Sequence, residues 1–239
     1  MTLNRREFIK LMGGTAAVFG FSGVLLQGCK KAIQEAAERT PVIWLQAQSC
    51  SGCSVSLLNA IDPGIATVIT EHISLNYHQT LMGGTGDAAI RVLEEAVKKQ
   101  RKDFVLVVEG SIPVDSEEYC TIGMLNGKHV SALEWVRELG KNAKAILAFG
   151  TCAAYGGIPA AESRKTGKNP TGAKSLAEIL PNAAIINVPG CPPHPDWMIG
   201  TVLHYLLKGM PELDEYKRPK LFFGKTVHEQ CEHLPDYKR

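Results

Sequence analysis

The sequence has almost no net charge and no basic stripe, since 26 lysines and arginines stand against 24 aspartates and glutamates. A nucleic-acid-binding surface needs clustered positive charge, so we exclude that class of function. The glycine-rich segment 83–86 (GGTG) lacks the lysine of a phosphate-binding loop and reads as a flexible loop before a helix. What is present is a chain of 239 residues, 45% of them apolar, which suffices for one large domain with a small appendage.

The N-terminus has the pattern of an export signal. Arg5 and Arg6 precede a weakly apolar, glycine-rich run at residues 11–26 that is short for a membrane span. This pattern predicts a twin-arginine signal over residues 1–28 and a periplasmic protein, with two chance arginines as the alternative. Cys29 follows a lipobox-like LQG and would be either the lipidated, membrane-attached first residue or a cysteine of a discarded peptide. Residues 29–40 read as a polar tether.

Apolar runs alternate with helical patterns along the rest of the chain. The runs are rich in valine and isoleucine and largely continuous, as in strands that are buried on both faces. The alternation predicts an α/β fold with a flavodoxin-like parallel sheet and helices on both faces, spanning residues 41–207. Residues 208–239 change in composition and read as a linker and the start of a further region. The predicted strands are 41–47, 66–73, 104–108, 145–149 and 184–188, and the predicted helices are 54–60, 88–102, 131–139 and 175–180.

Four cysteines follow the ends of three predicted strands. Cys50 and Cys53 form a Cys-x-x-Cys pair after the first strand, Cys152 follows the fourth and Cys191 follows the fifth. Ligands of an open α/β sheet bind outside the carboxyl ends of its strands, so the four thiols are expected to share one crevice. Four thiolates are the usual ligands of an iron–sulfur cluster, and we expect a redox protein.

Other interpretations of the cysteines stay open on spacing alone. Four thiolates also make a structural zinc site, although zinc usually takes tightly paired spacings. Cys50 and Cys53 have the spacing of a redox dithiol and could form a disulfide. Cys120 could approach the same crevice, but a buried thiol without a ligand is the favoured interpretation.

Two further sets of residues could take part in proton transfer or metal binding. Glu109 follows the third strand, where its carboxylate could relay protons or accept backbone hydrogen bonds, and we favour the structural role. His228 and Cys231 stand three positions apart and could bind one metal ion or cluster, but two ligands do not saturate a site.

These motifs together resemble the small subunit of the nickel–iron hydrogenases. The resemblance covers nearly the whole chain, and its details at 54–60 and 191–198 are most similar to the nickel–iron–selenium branch. It is carried by the twin-arginine segment and by residues 50–53, 108–113, 150–157, 189–193 and 227–231.

The resemblance implies an electron-transfer subunit of an enzyme whose catalytic nickel–iron centre lies in a large-subunit partner. It implies that Cys50, Cys53, Cys152 and Cys191 hold the proximal [4Fe–4S] cluster, and that electrons leave toward a cytochrome-type acceptor. It implies that His228 and Cys231 are two ligands of a distal [4Fe–4S] cluster. No cysteine follows Cys231, so the other distal ligands and all medial-cluster ligands are lacking.

We therefore expect a truncated chain, with a protein that has lost part of its relay as the alternative. Two other functions remain possible on the sequence. One is a docking or assembly module that holds a single cluster and conducts no electrons onward. The other is a cluster-free domain with a Cys50–Cys53 redox dithiol.

Overall fold

A computed structural model describes residues 39–237, in which a five-stranded parallel sheet carries helices on both faces. The proposed export signal, Cys29 and all but the last two residues of the proposed tether lie outside the described residues. Within residues 39–237, none of the helices is both long enough and apolar enough to cross a membrane. The strands are β1 (Thr40–Gln46), β2 (Ile73–His78), β3 (Val105–Glu109), β4 (Thr121–Leu125), β5 (Lys128–Ser131), β6 (Ala145–Phe149) and β7 (Ile185–Val188).

The main sheet has the order β2-β1-β3-β6-β7, and every neighbouring pair is parallel. When these five strands are numbered in chain order, the sheet order is 2-1-3-4-5. This is the flavodoxin-like order, with a switch point between β1 and β3. The predicted fold class is confirmed. The α-helices are α1 (Gly52–Leu57), α2 (Ile65–Thr67), α3 (Gly86–Lys99), α4 (Ala132–Asn142), α5 (Gly150–Tyr155), α6 (Leu176–Ile179), α7 (Pro195–Lys208), α8 (Lys220–Phe223) and α9 (Leu234–Tyr237).

Each face of the sheet has its own apolar core. Alternate residues of β1 point to opposite faces, so Ile43 packs with α3 and α4 in the first core, whereas Val42 packs with α1 and α7 in the second core. Helix α3 contributes Ile90 and Leu93, which stand at helical spacing and are buried, while its charged residues face outward. The two cores fix the strand ends, and thereby the loops that follow them.

Serine caps explain where two predicted helices begin. Ser131 accepts a hydrogen bond from the Glu134 N–H at 3.1 Å, one residue before α4 starts. Ser175 and Glu178 form a reciprocal capping box at the start of α6. Each cap satisfies donors that the first helical turn leaves unpaired.

The predicted second strand at residues 66–73 is wrong. Helix α2 and a π-helix at Val68–His72 occupy nearly all of this segment, and the strand β2 begins at Ile73. Ile65, Val68 and Ile69 have the spacing of one helical face, and all three pack against the second core. Strand β2 carries polar residues and lies at the edge of the sheet, which conceals it from a search for apolar runs.

A β-hairpin between β3 and β6 was not predicted. Its strands β4 and β5 pair antiparallel around Asn126 and Gly127, whose φ angles are 51° and 77°. Asn-Gly is the favoured pair for a hairpin turn with positive φ at both positions, so the sequence did contain a signal.

Candidate metal centre

The first two cysteines lie where β1 passes into α1. The segment between β1 and Cys50 is held to the loop after β3, because the Gln48 N–H donates to the Ser111 carbonyl at 3.0 Å. Ser51 has a left-handed backbone with φ 61°, after which α1 begins at Gly52. Cys50 is exposed and Cys53 is half-buried. The turn therefore offers one thiol at the surface and one beside the core.

The other two cysteines lie in the first turn of α5 and in the loop after β7, which are hydrogen-bonded to each other. The Thr151 N–H donates to the Gly190 carbonyl at 2.9 Å, and the Gly190 N–H donates to the Thr151 hydroxyl at 3.1 Å. Cys152 and Cys191 follow these two residues in sequence. The reciprocal bonds therefore fix the start of α5 against the loop after β7, and bring both cysteines to the carboxyl edge of the sheet.

Cys53 lies close enough to Cys50, Cys152 and Cys191 for their charges to affect its pKa. Burial raises the pKa of Cys53 far above its ordinary value, and Glu109, Cys50, Cys152 and Cys191 each raise that pKa further. Burial, followed by the nearby Cys191 and Cys50, also raises the pKa of Cys152. We call this group the cysteine edge. The buried thiols of Cys53 and Cys152 therefore favour their neutral form, and a nearby positive charge such as that of a metal would stabilise their thiolates.

Glycines leave room beside the sulfur atoms of the cysteine edge. A Cβ built on Gly150, whose φ is +88°, would lie 2.5 Å from the Cys53 Sγ. A Cβ on Gly157, whose φ is +60°, would lie 2.7 Å from the Cys152 Sγ. A third glycine, Gly52, would place a Cβ 3.2 Å from the Cys50 Sγ. Side chains here would displace the sulfurs, so the residues present fit a bulky inorganic group held by four thiolates.

A single-ion site fits this arrangement less well. In residues 39–237, no three His, Cys, Asp or Glu side chains converge so as to hold one metal ion. Zinc requires its ligands to meet at one point, whereas the body of an iron–sulfur cluster separates them. The six cysteines in the described part of the chain are also free thiols, so Cys50 and Cys53 form no disulfide.

Cys120 follows none of the three strand ends that carry the cysteine edge. It ends a short 3₁₀ turn before β4 and packs against the first apolar core. Burial raises its pKa to about 11. The structure thus places Cys120 as a half-buried thiol in an apolar setting.

Glu109 ends β3 beneath the cysteine edge and is only 1% exposed. Its carboxylate accepts hydrogen bonds from the Trp44 Nε1 at 3.0 Å and from the Ser49 hydroxyl at 3.0 Å. It also accepts from the Cys53 N–H at 3.1 Å and from the Ser54 hydroxyl. Glu109 therefore ties the Cys50–Cys53 turn to the centre of the sheet.

Sequence reasoning missed the residues that surround Glu109. His78 is buried, its Nε2 lies 3.1 Å from the Ser54 hydroxyl oxygen, and burial lowers its pKa. Gln46, His78 and Glu109 are the last residues of the adjacent strands β1, β2 and β3. Polar residues at three neighbouring strand ends are a recognisable signal, which the misplaced second strand concealed.

His228 and Cys231 lie in a different part of the chain from the cysteine edge. The Cys231 N–H donates to the His228 carbonyl at 3.2 Å, so the two residues share one turn. The His228 ring packs edge-on against Tyr237, with 5.6 Å between ring centroids. Both residues are exposed. Their assignment as distal-cluster ligands stays a prediction.

Comparison with known proteins identifies the family. The family model described as "NADH ubiquinone oxidoreductase, 20 Kd subunit" matches residues 50–205. The chain is 44% identical to the periplasmic [NiFeSe] hydrogenase small subunit of Desulfomicrobium baculatum, covering 99% of this chain and 79% of that protein. It is 41% identical to the hydrogenase-2 small chain of Escherichia coli K12, covering 98% of this chain. It spans only 61% of the length of the Escherichia coli relative.

A solved structure shows the same relationship. The reduced, active form of the Ni-Fe-Se hydrogenase from Desulfomicrobium baculatum matches with a TM-score of 0.77 and 42% sequence identity. The match covers 84% of this chain and 76% of the other. The motifs, the sheet order and these similarities agree, and the chain belongs to the small-subunit family of the nickel–iron and nickel–iron–selenium hydrogenases.

Proposed function

We propose that this chain is the electron-transfer subunit of a hydrogenase and that the cysteine edge holds its proximal [4Fe–4S] cluster. When bound, such a cluster supplies a one-electron carrier. Cys50, Cys53, Cys152 and Cys191 provide the four thiolates, and the chain itself contributes no catalytic residue. The single observation that carries the proposal is the meeting of four free thiols from three strand ends, with glycine beside three of the sulfurs.

A large subunit with the nickel–iron centre is the proposed partner at this edge. Val55 and Leu58, in and just after α1, are 56% and 46% exposed, although they lie close to Cys53 in sequence. Tyr155 and Ile158, which follow Cys152, are 44% and 80% exposed. Exposed apolar side chains around a polar site are typical of a surface that a second protein covers.

The route of electrons beyond this site and the location of the protein are also proposals. His228 and Cys231 would supply two ligands of a distal [4Fe–4S] cluster, from which electrons would pass to a cytochrome-type acceptor. The N-terminal pattern supports twin-arginine export, and the Desulfomicrobium baculatum relative is named periplasmic. Attachment to the membrane would depend on lipidation of Cys29.

Iron analysis of cysteine variants tests the proximal site. The full chain is co-expressed with its large subunit, purified without oxygen, and analysed for iron and acid-labile sulfide. We expect Cys152→Ala to lose about four iron atoms relative to the unmodified complex, because one thiolate of a four-ligand set is removed. Cys120→Ala is the matched control and should retain them, since Cys120 is half-buried in an apolar setting.

The outcomes separate the candidate functions. Equal iron in both variants would refute the proximal assignment. An unmodified complex without iron would favour the cluster-free dithiol domain. A loaded site that reduces no cytochrome-type acceptor would favour the docking or assembly module.

A further inference from the structure

A groove at the amino edge of the main sheet, where its strands begin, carries lysines that the electron-transfer function does not use. It is bordered by the end of α4 and by the segment that leads into β7, and its volume is about 430 Å³. Lys102, Lys141 and Lys144 line it together with the half-buried apolar side chains of Leu180 and Ala183. We call this feature the lysine groove.

The lysine groove has an excess of positive charge. Segments 101–103 and 141–144 contain four cationic residues and one acidic residue, Asp103. All four cationic residues are exposed. Within residues 39–237, the only ion pair that any of the four forms joins Lys141 to Glu138 at 4.0 Å, and surface pairs of this kind contribute little. Most of this charge therefore has no opposite charge as a partner in the described part of the chain.

Helix ends account for only part of this charge. A cation in the last turn of a helix interacts favourably with the free carbonyls there, and Lys141 has this position in α4. Arg101 and Lys102 lie beyond the end of α3. The Arg101 Nε donates to the Asn142 side chain at 2.7 Å, and the Lys102 Nζ donates to the Ala143 carbonyl at 3.3 Å. Both acceptors are neutral, so the charge of these two residues is not cancelled.

The chain enters the sheet at the same edge. Strand β1 begins at Thr40, and its Val42 stands opposite Val105, the first residue of β3. Lys102 shortly precedes Val105, so Thr40 and Lys102 lie at the same end of neighbouring strands. Cys29 lies 11 positions before Thr40, and a chain of that length spans at most about 40 Å when fully extended. A lipid on Cys29 would therefore hold the amino edge within reach of a membrane surface.

Charge and chain entry together indicate what the lysine groove binds. A single lipid chain anchors a protein weakly, and stable attachment takes a second signal such as a cluster of basic residues beside anionic lipid. We propose that the lysine groove is a docking surface for a membrane of anionic phospholipid, whose headgroup phosphates the lysines contact.

The lysine groove and the cysteine edge lie at opposite ends of the strands, so a large subunit at the cysteine edge leaves the groove accessible. This inference rests on the proposed attachment through Cys29 and does not depend on the cluster.

The experiment measures how the full chain, in complex with its large subunit, partitions onto vesicles in co-sedimentation. One set of vesicles is phosphatidylcholine alone, and the other is an equal mixture of phosphatidylcholine and phosphatidylglycerol. The readout is the ratio of the two partition constants. Lys102→Gln with Lys144→Gln removes two charges of the groove. Lys165→Gln with Lys168→Gln is the matched control, because both lysines are exposed and lie between α5 and α6.

We expect the unmodified complex to prefer the anionic vesicles and to lose this preference as the salt concentration rises. Each cation near an anionic surface contributes roughly fivefold to binding, so the groove variant should lower the ratio by about tenfold or more. The control variant should leave the ratio unchanged. The melting temperature and iron content should equal those of the unmodified complex in both variants, because all four lysines are exposed.

Equal ratios in the groove and control variants would overturn the inference, as would an unmodified complex that shows no preference for anionic vesicles or binds neither kind. If that complex instead binds immobilised polyglutamate and the groove variant does not, the groove serves an acidic protein, which also overturns the inference.

A second pair of substitutions guards against a change in folding. If the groove variant has a lower melting temperature because the Lys102–Ala143 hydrogen bond is lost, Lys141→Gln with Lys144→Gln must give the same fall in the ratio, and an unchanged ratio overturns the inference. Cys29→Ala should weaken binding to both kinds of vesicle equally, and unchanged binding would refute the lipid attachment. The iron content of the unmodified complex tests the electron-transfer function separately.

Discussion

The space beside the Cys53 sulfur can be tested by adding one methyl group. Gly150 and Gly127 both have positive φ angles, +88° and +77°, but a Cβ on Gly127 meets nothing within 4 Å. Alanine at Gly127 should therefore cost only the backbone penalty of a left-handed conformation, about 1–2 kcal/mol. Alanine at Gly150 carries the same penalty and also forces the Cys53 Sγ away from a Cβ that would lie 2.5 Å from it.

The additional overpacking at Gly150 should cost roughly 1–3 kcal/mol more. In a domain of this size, that difference corresponds to a further fall of roughly 2–12 °C in the melting temperature. The assay is thermal unfolding of the purified complex, with iron content measured on the same samples. We expect Gly127→Ala to retain all its iron, and Gly150→Ala to lose most of the iron at the cysteine edge. Equal melting temperatures and equal iron would refute the claim that Gly150 reserves space for the sulfur.

Two further predictions concern stability away from the cysteine edge. Leu139→Ala should lower the free energy of unfolding by about 2–5 kcal/mol in urea titrations, because Leu139 is fully buried in the first core. Leu207→Ala, at a position that is 77% exposed, should change it by less than about 0.5 kcal/mol, and equal effects would contradict the assigned packing. The Ser175 N–H lowers the pKa of Glu178, so this carboxylate stabilises the fold above its unfolded-state pKa and loses that effect as the pH falls through the folded-state pKa. Glu178→Gln should therefore be less stable at neutral pH and show a shallower loss of stability in acid, and an unchanged pH profile would contradict the capping role.

The sequence predicts the buried strands well because they are buried on both faces. Strand β6 spans residues 145–149, as predicted, since its five residues are all buried and all apolar. Strand β2 lies at the sheet edge and alternates apolar with polar residues. The prediction therefore placed the second strand on the more apolar run just before it, at residues 66–73, which is helical. Burial on one side only leaves a weaker signal than burial on both.

The cysteines of the site were predictable and their surroundings were not. Strand ends can be placed from apolar runs, and thiols that follow them gather at one edge of a parallel sheet. The environment of Glu109 depends on residues that are far apart in sequence, such as Trp44 and His78, and on which strands are neighbours. Spacing along the chain contains no information about such contacts until the sheet order is known.

The hydrogen bonds between Thr151 and Gly190 have a consequence for the order in which the four thiols come together. They join the start of α5, which directly follows β6, to the loop after β7, the last strand of the sheet, so the fourth thiol arrives only when β7 has paired. A chain whose last strand has not yet paired can offer Cys50, Cys53 and Cys152, but not Cys191, in their final positions. Whatever binds all four thiols favours molecules in which β1, β3, β6 and β7 are paired over molecules in which one of these strands is not. The proposed cluster would therefore select molecules in which the strands that position its four thiols are paired, whereas the pairing of β2, whose end carries none of them, would not be tested.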